Sequence, residues 1–178
     1  PNVTIMEGAR IGKNCRIFPG AVISAIPQDL KFNGEDSEVI IGDNVTIREF
    51  CTINRGTVDK HKTIIGKGSL LMAYVHVAHD CSIGKNCVLA NAVNVAGHVT
   101  MGDFAVIGGL TAVHQFVNIG KHVMVSGGSL VRKEGLRLTK SMKFKTSTEL
   151  FTLKDIIFLK LWHTLKQKCL QQGNVTIS

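Results

Sequence analysis

Four of the seven histidines in this 178-residue chain fall in three short windows set 18 residues apart, 76–80, 94–98 and 112–116. Together the windows hold His76, His79, Asp80, Asn94, His98, His114 and Gln115. An imidazole near its ordinary pKa can take a proton from a hydroxyl, so such a cluster suits general base catalysis. Three histidines also suit Zn²⁺. Surface histidines with no shared role are the third reading. Asp80 directly follows His79, which puts a carboxylate beside an imidazole. His61, His122 and His163 lie outside the windows and read as incidental.

The spacing of 18 has meaning because of a six-residue period in the elements that carry these residues. Stepping by six from Ile5 to Val131, 19 of 22 positions are aliphatic or Met, and the run from Ile65 to Val131 is unbroken. Four residues after each aliphatic stands a small or β-branched residue, as at Val45, Cys51, Val75, Cys81, Cys87, Val93, Val99, Ala105 and Thr111. This is the hexapeptide pattern of a parallel β-helix, an all-β solenoid with three hexads to each triangular coil. Residues 18 apart then stack vertically, one coil being ~4.8 Å high. Gly12, Gly42, Gly66, Gly84, Gly102, Gly108 and Gly120 each follow an aliphatic directly, where the turn is expected to need permissive backbone.

Cys15, Cys51, Cys81 and Cys87 all occupy the small inward register, so they read as core filler rather than ligands or nucleophiles. Two segments break the aliphatic register. Residues 26–38 break it at Asp29 and Glu35, and 57–62 break it at Asp59. Both are expected to loop outward, and loops on a rigid scaffold are where function concentrates. After Val131 the period stops. Residues 148–170 follow a helical pattern behind a capping box of Thr146 and Glu149, which predicts a short C-terminal α-helical segment. The domains are therefore 1–133, a β-helix, and 134–178, a helical segment.

Composition narrows the function classes. With 44% hydrophobic and 19% charged residues the chain is a globular one rather than a disordered one. No run approaches the ~18–20 apolar residues of a spanning helix, so no membrane span is expected. No secretory leader is visible, which makes the cytoplasm the expected location. The five cysteines form no CxxC pair or even framework, against a secreted disulfide scaffold. Residues 1–131 carry 11 Lys/Arg against 10 Asp/Glu, while 132–178 carry 10 against 3. The basic tail suggests an anionic partner, or else a solvated amphipathic helix. It lacks the aromatic interleaving of a nucleic-acid surface, so no nucleic acid is expected.

Five segments resemble the bacterial UDP-N-acetylglucosamine acyltransferases closely: QDLKFNGE (28–35), IREFCTINRGT (47–57), AYVHVAHDC (73–81), LANAVNVAGHV (89–99) and IGGLTAVHQFVNIGKHVMV (107–125). The resemblance covers roughly residues 1–133. It implies a left-handed parallel β-helix, a homotrimer with sites between subunits, and an O-acyltransferase that needs no cofactor and no metal. The implied reaction moves an (R)-3-hydroxyacyl group from acyl carrier protein to the 3-hydroxyl of UDP-N-acetylglucosamine, the first step of lipid A synthesis. It also implies that His79 is the general base, Asp80 its support and the Gly97 N–H an oxyanion donor. Gln28, Asp29 and Lys31 then belong to a substrate loop, and His76, His98, His114 and Gln115 to the substrate pocket. Gly127 matches the position that measures acyl length, beside the alternative of an ordinary turn glycine.

The resemblance also implies about two further coils before Pro1 and a Pro-containing coil after Lys133. The segment EGLRLTKSMKF (134–144) departs from the family's arginine-rich stretch, and only Arg137 carries over as a nucleotide contact. Two other readings share this fold. One is a γ-type carbonic anhydrase-like zinc enzyme with three histidines holding the ion between subunits. The other is an inactive, truncated solenoid that only binds ligand.

Overall fold

The computed structural model of the protein describes residues 1–132. The helical segment expected over 134–178, with Thr146, Glu149 and Arg137, lies outside the described residues. Within them the chain runs through 19 short strands, most of two residues, in three parallel sheets of seven, six and six strands. The first sheet stacks Thr4–Ile5, Val22–Ala25, Thr52–Asn54, His76–Val77, Asn94–Val95, Ala112–Val113 and Leu130–Val131 in that order. Successive strands of the chain visit the three sheets in rotation, so each coil contributes one strand to each face. The result is a left-handed parallel β-helix.

The hexad explains every layer of this. The aliphatics Ile23, Ile41, Ile47, Ile53, Ile65, Leu71, Ile83, Leu89, Ile107 and Ile119 are fully buried, and each contributes about 1.5–3 kcal/mol by leaving water. The second inward position is as closed: Val45, Cys51, Val75, Cys87, Val93, Val99 and Ala105 are all at 0% exposure. At three of the polar positions the hydrogen bond runs to the coil above. Ser69 Oγ donates to Gly84 O at 3.0 Å, Thr111 Oγ1 to Ser126 O at 3.1 Å, and Cys81 Sγ to Ala96 O at 3.1 Å. Burial pushes the thiol pKa up to about 11 for Cys51 and about 12 for Cys81, so both stay protonated and inert.

The turns differ from the expectation for the glycines. The left-handed residue of each hexad lies three positions after the aliphatic, at every sixth residue from Gly68 to Gly128, and most are not glycine: Tyr74, Asp80, Asn86, Ala92, His98, Phe104, Leu110, Phe116 and His122. The glycines directly after the aliphatics are absent from the left-handed region. They are needed because neighbouring coils approach closely there. A Cβ on Gly84 would lie 2.6 Å from the Asp103 amide nitrogen, and one on Gly102 2.6 Å from that of Lys121.

Both interruptions leave the solenoid at one corner, between the first and second sheets. Stacked partners are 18 residues apart in the regular coils, as Val77 is from Val95. Across the first excursion the separation is 30 (Ile23 to Ile53), and across the second it is 24 (Ile53 to Val77). The insertions are whole hexads, so the chain re-enters each sheet with its aliphatics still facing inward.

Candidate functional site

The corner that carries the two excursions is also the corner of the histidine windows. At the turn after each first-sheet strand, His79, Gly97 and Gln115 form one vertical column, and Asp80, His98 and Phe116 form the next. His76 and Asn94 stack in the strands beside them. Residues 26–37 and 55–61 close over this corner from the coils below and leave an open cleft of about 840 Å³. Gln28, Asp29, Lys31, His76, His79, Gly97, His98 and Gln115 all line it.

His79 is only 6% exposed, and Asp80 is fully buried. The His79 Nδ1 lies 2.9 Å from Asp80 Oδ2. Asp80 is in turn gripped by Thr57, whose N–H donates to Oδ1 at 3.0 Å and whose hydroxyl donates to Oδ2. Lys60 Nζ donates to the Asp80 carbonyl at 3.0 Å. Burial by itself would push the Asp80 carboxyl up. The Thr57 hydroxyl, His79 and the Thr57 N–H outweigh that and hold it below the usual carboxylate range. An ionised carboxylate only accepts, so Nδ1 of His79 carries a hydrogen and Nε2 of the neutral ring presents its lone pair to the cleft.

Gly97 sits directly against that nitrogen: a Cβ there would lie 2.6 Å from His79 Nε2. In the regular coils the second residue after each aliphatic has an N–H that the coil ladder does not use. At Lys13 and Lys85 the Asp43 and Asp103 side chains accept it, each at 2.8 Å, and at Pro19 there is no such hydrogen. At Gly97 that position falls beside the base, where an N–H can face developing negative charge.

The other members fill in around this pair. The Asp29 carboxylate is 3.9 Å from His79 Nε2. His98 stacks on Phe116 at 4.5 Å and meets His79 edge-on at 5.0 Å, while its Nε2 is 3.6 Å from Asp59. Burial lowers the pKa of His98, with Asp80 opposing, and burial also lowers that of His76, whose Nδ1 is 2.7 Å from the Thr52 hydroxyl. His114 is exposed and stands just outside the cleft lining, with Nδ1 3.3 Å from the Gln115 carbonyl. Gly127 lies at a different corner, between the third and first sheets, where a Cβ would be 3.1 Å from Gly109 O.

His79, Asp80 and His98 bring ligand atoms within 4.8 Å of one another, the one such group among the described residues. Asp80 Oδ2 already accepts from Thr57 and His79, so an ion there would have to break the arrangement that orients the base.

Glu35, Thr57 and Asp59 also line the cleft but are not among the site candidates read from the sequence. A signal for two of them was there. Asp29, Glu35 and Asp59 are the three residues that break the aliphatic register, and all three line the cleft.

Solenoid and hexad pattern together make the chain similar to the bacterial hexapeptide-repeat transferases. The family model for the bacterial transferase hexapeptide (six repeats) matches residues 62–97. More narrowly, the chain is similar to the UDP-N-acetylglucosamine acyltransferases. It is 58% identical over 74 residues to the acyl-[acyl-carrier-protein]–UDP-N-acetylglucosamine O-acyltransferase of Chlorobaculum parvum, and 64% identical over 72 residues to that of Helicobacter pylori strain HPAG1. These matches cover 42% and 40% of the chain but only 28% and 27% of the relatives. The crystal structure of LpxA, a UDP-N-acetylglucosamine acyltransferase from Bacteroides fragilis, superposes with a TM-score of 0.71 at 52% identity, over 72% of this chain and 51% of that one. The chain thus spans about half the length of that structural relative, and the resemblance read from the five segments holds at the level of sequence and fold.

Proposed function

We propose that this chain carries the catalytic corner of an O-acyltransferase that moves an (R)-3-hydroxyacyl group from acyl carrier protein to the 3-hydroxyl of UDP-N-acetylglucosamine. The observation that carries the reading is the His79 pair: Nδ1 held on buried Asp80, and Nε2 open to the cleft beside Gly97. The similarity to enzymes of that name supports it.

In this mechanism His79 Nε2 takes the proton of the sugar hydroxyl as its oxygen attacks the thioester carbonyl carbon. The carbonyl oxygen becomes an oxyanion, met by the Gly97 N–H. Collapse reforms the carbonyl, breaks the carbon–sulfur bond and expels the carrier's thiolate, which the imidazolium protonates. Asp80 stays ionised and stabilises the imidazolium. No cofactor enters, because the thioester is already activated.

Gln28, Asp29 and Lys31 take the nucleotide sugar from the loop side, Lys31 as a cation for phosphate. His76, His98 and Gln115 line the sugar and acyl path, and His114 reaches the same substrates from the cleft's rim. Gly127 measures the acyl chain only if a second subunit's face completes the groove, and this reading therefore includes a homotrimer. The basic charge of residues 134–178 suits an acidic carrier protein. The setting is cytoplasmic, where carrier-bound thioesters are made.

The test compares hydroxyacyl transfer to UDP-N-acetylglucosamine by this chain and by His79→Ala. A loss of at least ~10²-fold in the variant is expected. Equal activity in both would remove His79 from the mechanism.

A further inference from the structure

The two excursions are held together by a set of bonds that touch neither the solenoid ladder nor the His79 pair. Glu35 is at its centre. One carboxylate oxygen accepts the Asn33 N–H at 2.8 Å within its own loop, and the other accepts the Val58 N–H of the second loop at 3.0 Å. Around it, Asn54 Nδ2 donates to Ile26 O at 3.0 Å, His61 Nδ1 lies 3.0 Å from Asp36 O, and the Arg55 guanidinium stands 5.5 Å over the Phe32 ring.

Val58 directly follows Thr57, and their consecutive N–H groups are taken by two different carboxylates. Thr57 holds Asp80, and through it His79. Val58 holds Glu35, and through it the loop whose Asp29 approaches His79 Nε2. The two residues of the second loop therefore set the base and the substrate loop from one short rigid stretch.

We propose that Glu35 is a positioning residue that clamps residues 26–37 onto residues 55–61 and thereby holds Asp29 and Lys31 at the His79 cleft. The inference deepens the acyltransferase reading and rests on it for the identity of the substrate. Leu30, at the tip, is fully exposed, so the outer part of the loop gains nothing from burying it and depends on these polar ties for its order. Backbone hydrogen bonds hold the Glu35 carboxyl below the usual range, so the clamp persists well into mild acid. It is lost as pH falls through that lowered value.

The experiment uses the full chain as wild type, Glu35→Ala and Glu35→Gln. Hydrogen–deuterium exchange is followed on peptides covering 26–37, and KM and kcat are measured for UDP-N-acetylglucosamine. In Glu35→Ala, exchange over 26–37 should rise while the coils 82–131 stay protected. KM should increase roughly tenfold or more, because a charged acceptor of two N–H groups is gone. The kcat should stay within about twofold, since the Thr57–Asp80–His79 chain is untouched. Glu35→Gln keeps one acceptor and should fall between the two. Unchanged exchange over 26–37, or a fall in kcat with KM constant, overturns the proposal. Should the wild type show no transfer, the acyltransferase reading fails on its own, and exchange over 26–37 still decides whether Glu35 is the clamp.

Discussion

Gly97 lies so close to His79 that the smallest side chain would collide with the imidazole: an added Cβ would be 2.6 Å from both Cε1 and Nε2. The imidazole cannot retreat without leaving Asp80, and Asp80 cannot follow because Thr57 grips it by two donors. The ring's position is therefore set from both sides, by a hydrogen bond on Nδ1 and by the missing side chain of the next coil at Nε2.

Gly97→Ala should accordingly misplace the base without unfolding the solenoid, since Gly97 is outside the left-handed region and Ala can adopt its backbone. A displacement of about 1 Å is expected to lower kcat on the order of 10²-fold. Steady-state kinetics beside a thermal melt separate the two effects, and a fully active variant would show that the ring is free to move.

Acid should weaken the fold through two half-buried histidines. Burial lowers the pKa of His76 and of His98, so between the ordinary value and the lowered ones the unfolded chain binds more protons than the folded chain. Stability from these groups is complete above the unfolded histidine value and is lost as pH falls below it. The melting temperature should drop as pH falls through the ordinary histidine value of about 6.5. His76→Asn with His98→Asn should flatten that slope. A slope that survives both replacements would assign it to other groups.

The glycines after the aliphatics and the left-handed corner residues make opposite predictions. Gly84→Ala pushes a Cβ toward the Asp103 amide and should destabilise the solenoid by about 1–3 kcal/mol, as overpacking does. Asn86→Gly, at a left-handed corner with φ of 54°, should change stability by less than about 1 kcal/mol. Urea titration of the two variants reads this directly. A neutral Gly84→Ala would mean the coils can spread.

Much of this site is legible in the chain because the solenoid turns sequence spacing into height. A residue's place modulo six gives its direction, and its place modulo 18 gives its face, so His79, Gly97 and Gln115 can be stacked before any coordinate is known. The excursions are visible for the same reason, as Asp29, Glu35 and Asp59 stand where aliphatics belong. The glycine expectation failed because the local pattern says that a side chain is unwelcome, not whether φ or the neighbouring coil forbids it. Gly127 is placed by the same count. Its motif sits beside the others in sequence resemblance, yet its hexad turns it to another corner.

The sequence by itself determined the period, the inward and outward residues, and the corner at which chemistry collects, because each depends only on contacts repeated from one coil to the next. The tertiary structure decided how the two irregular loops fold over that corner. Glu35 reaching Val58, Thr57 reaching Asp80 and Asp59 reaching His98 join residues 23 or more positions apart outside the ladder. Such bonds carry no period, since each is formed once, by side chains whose partners are fixed only when both loops have left the solenoid at the same edge.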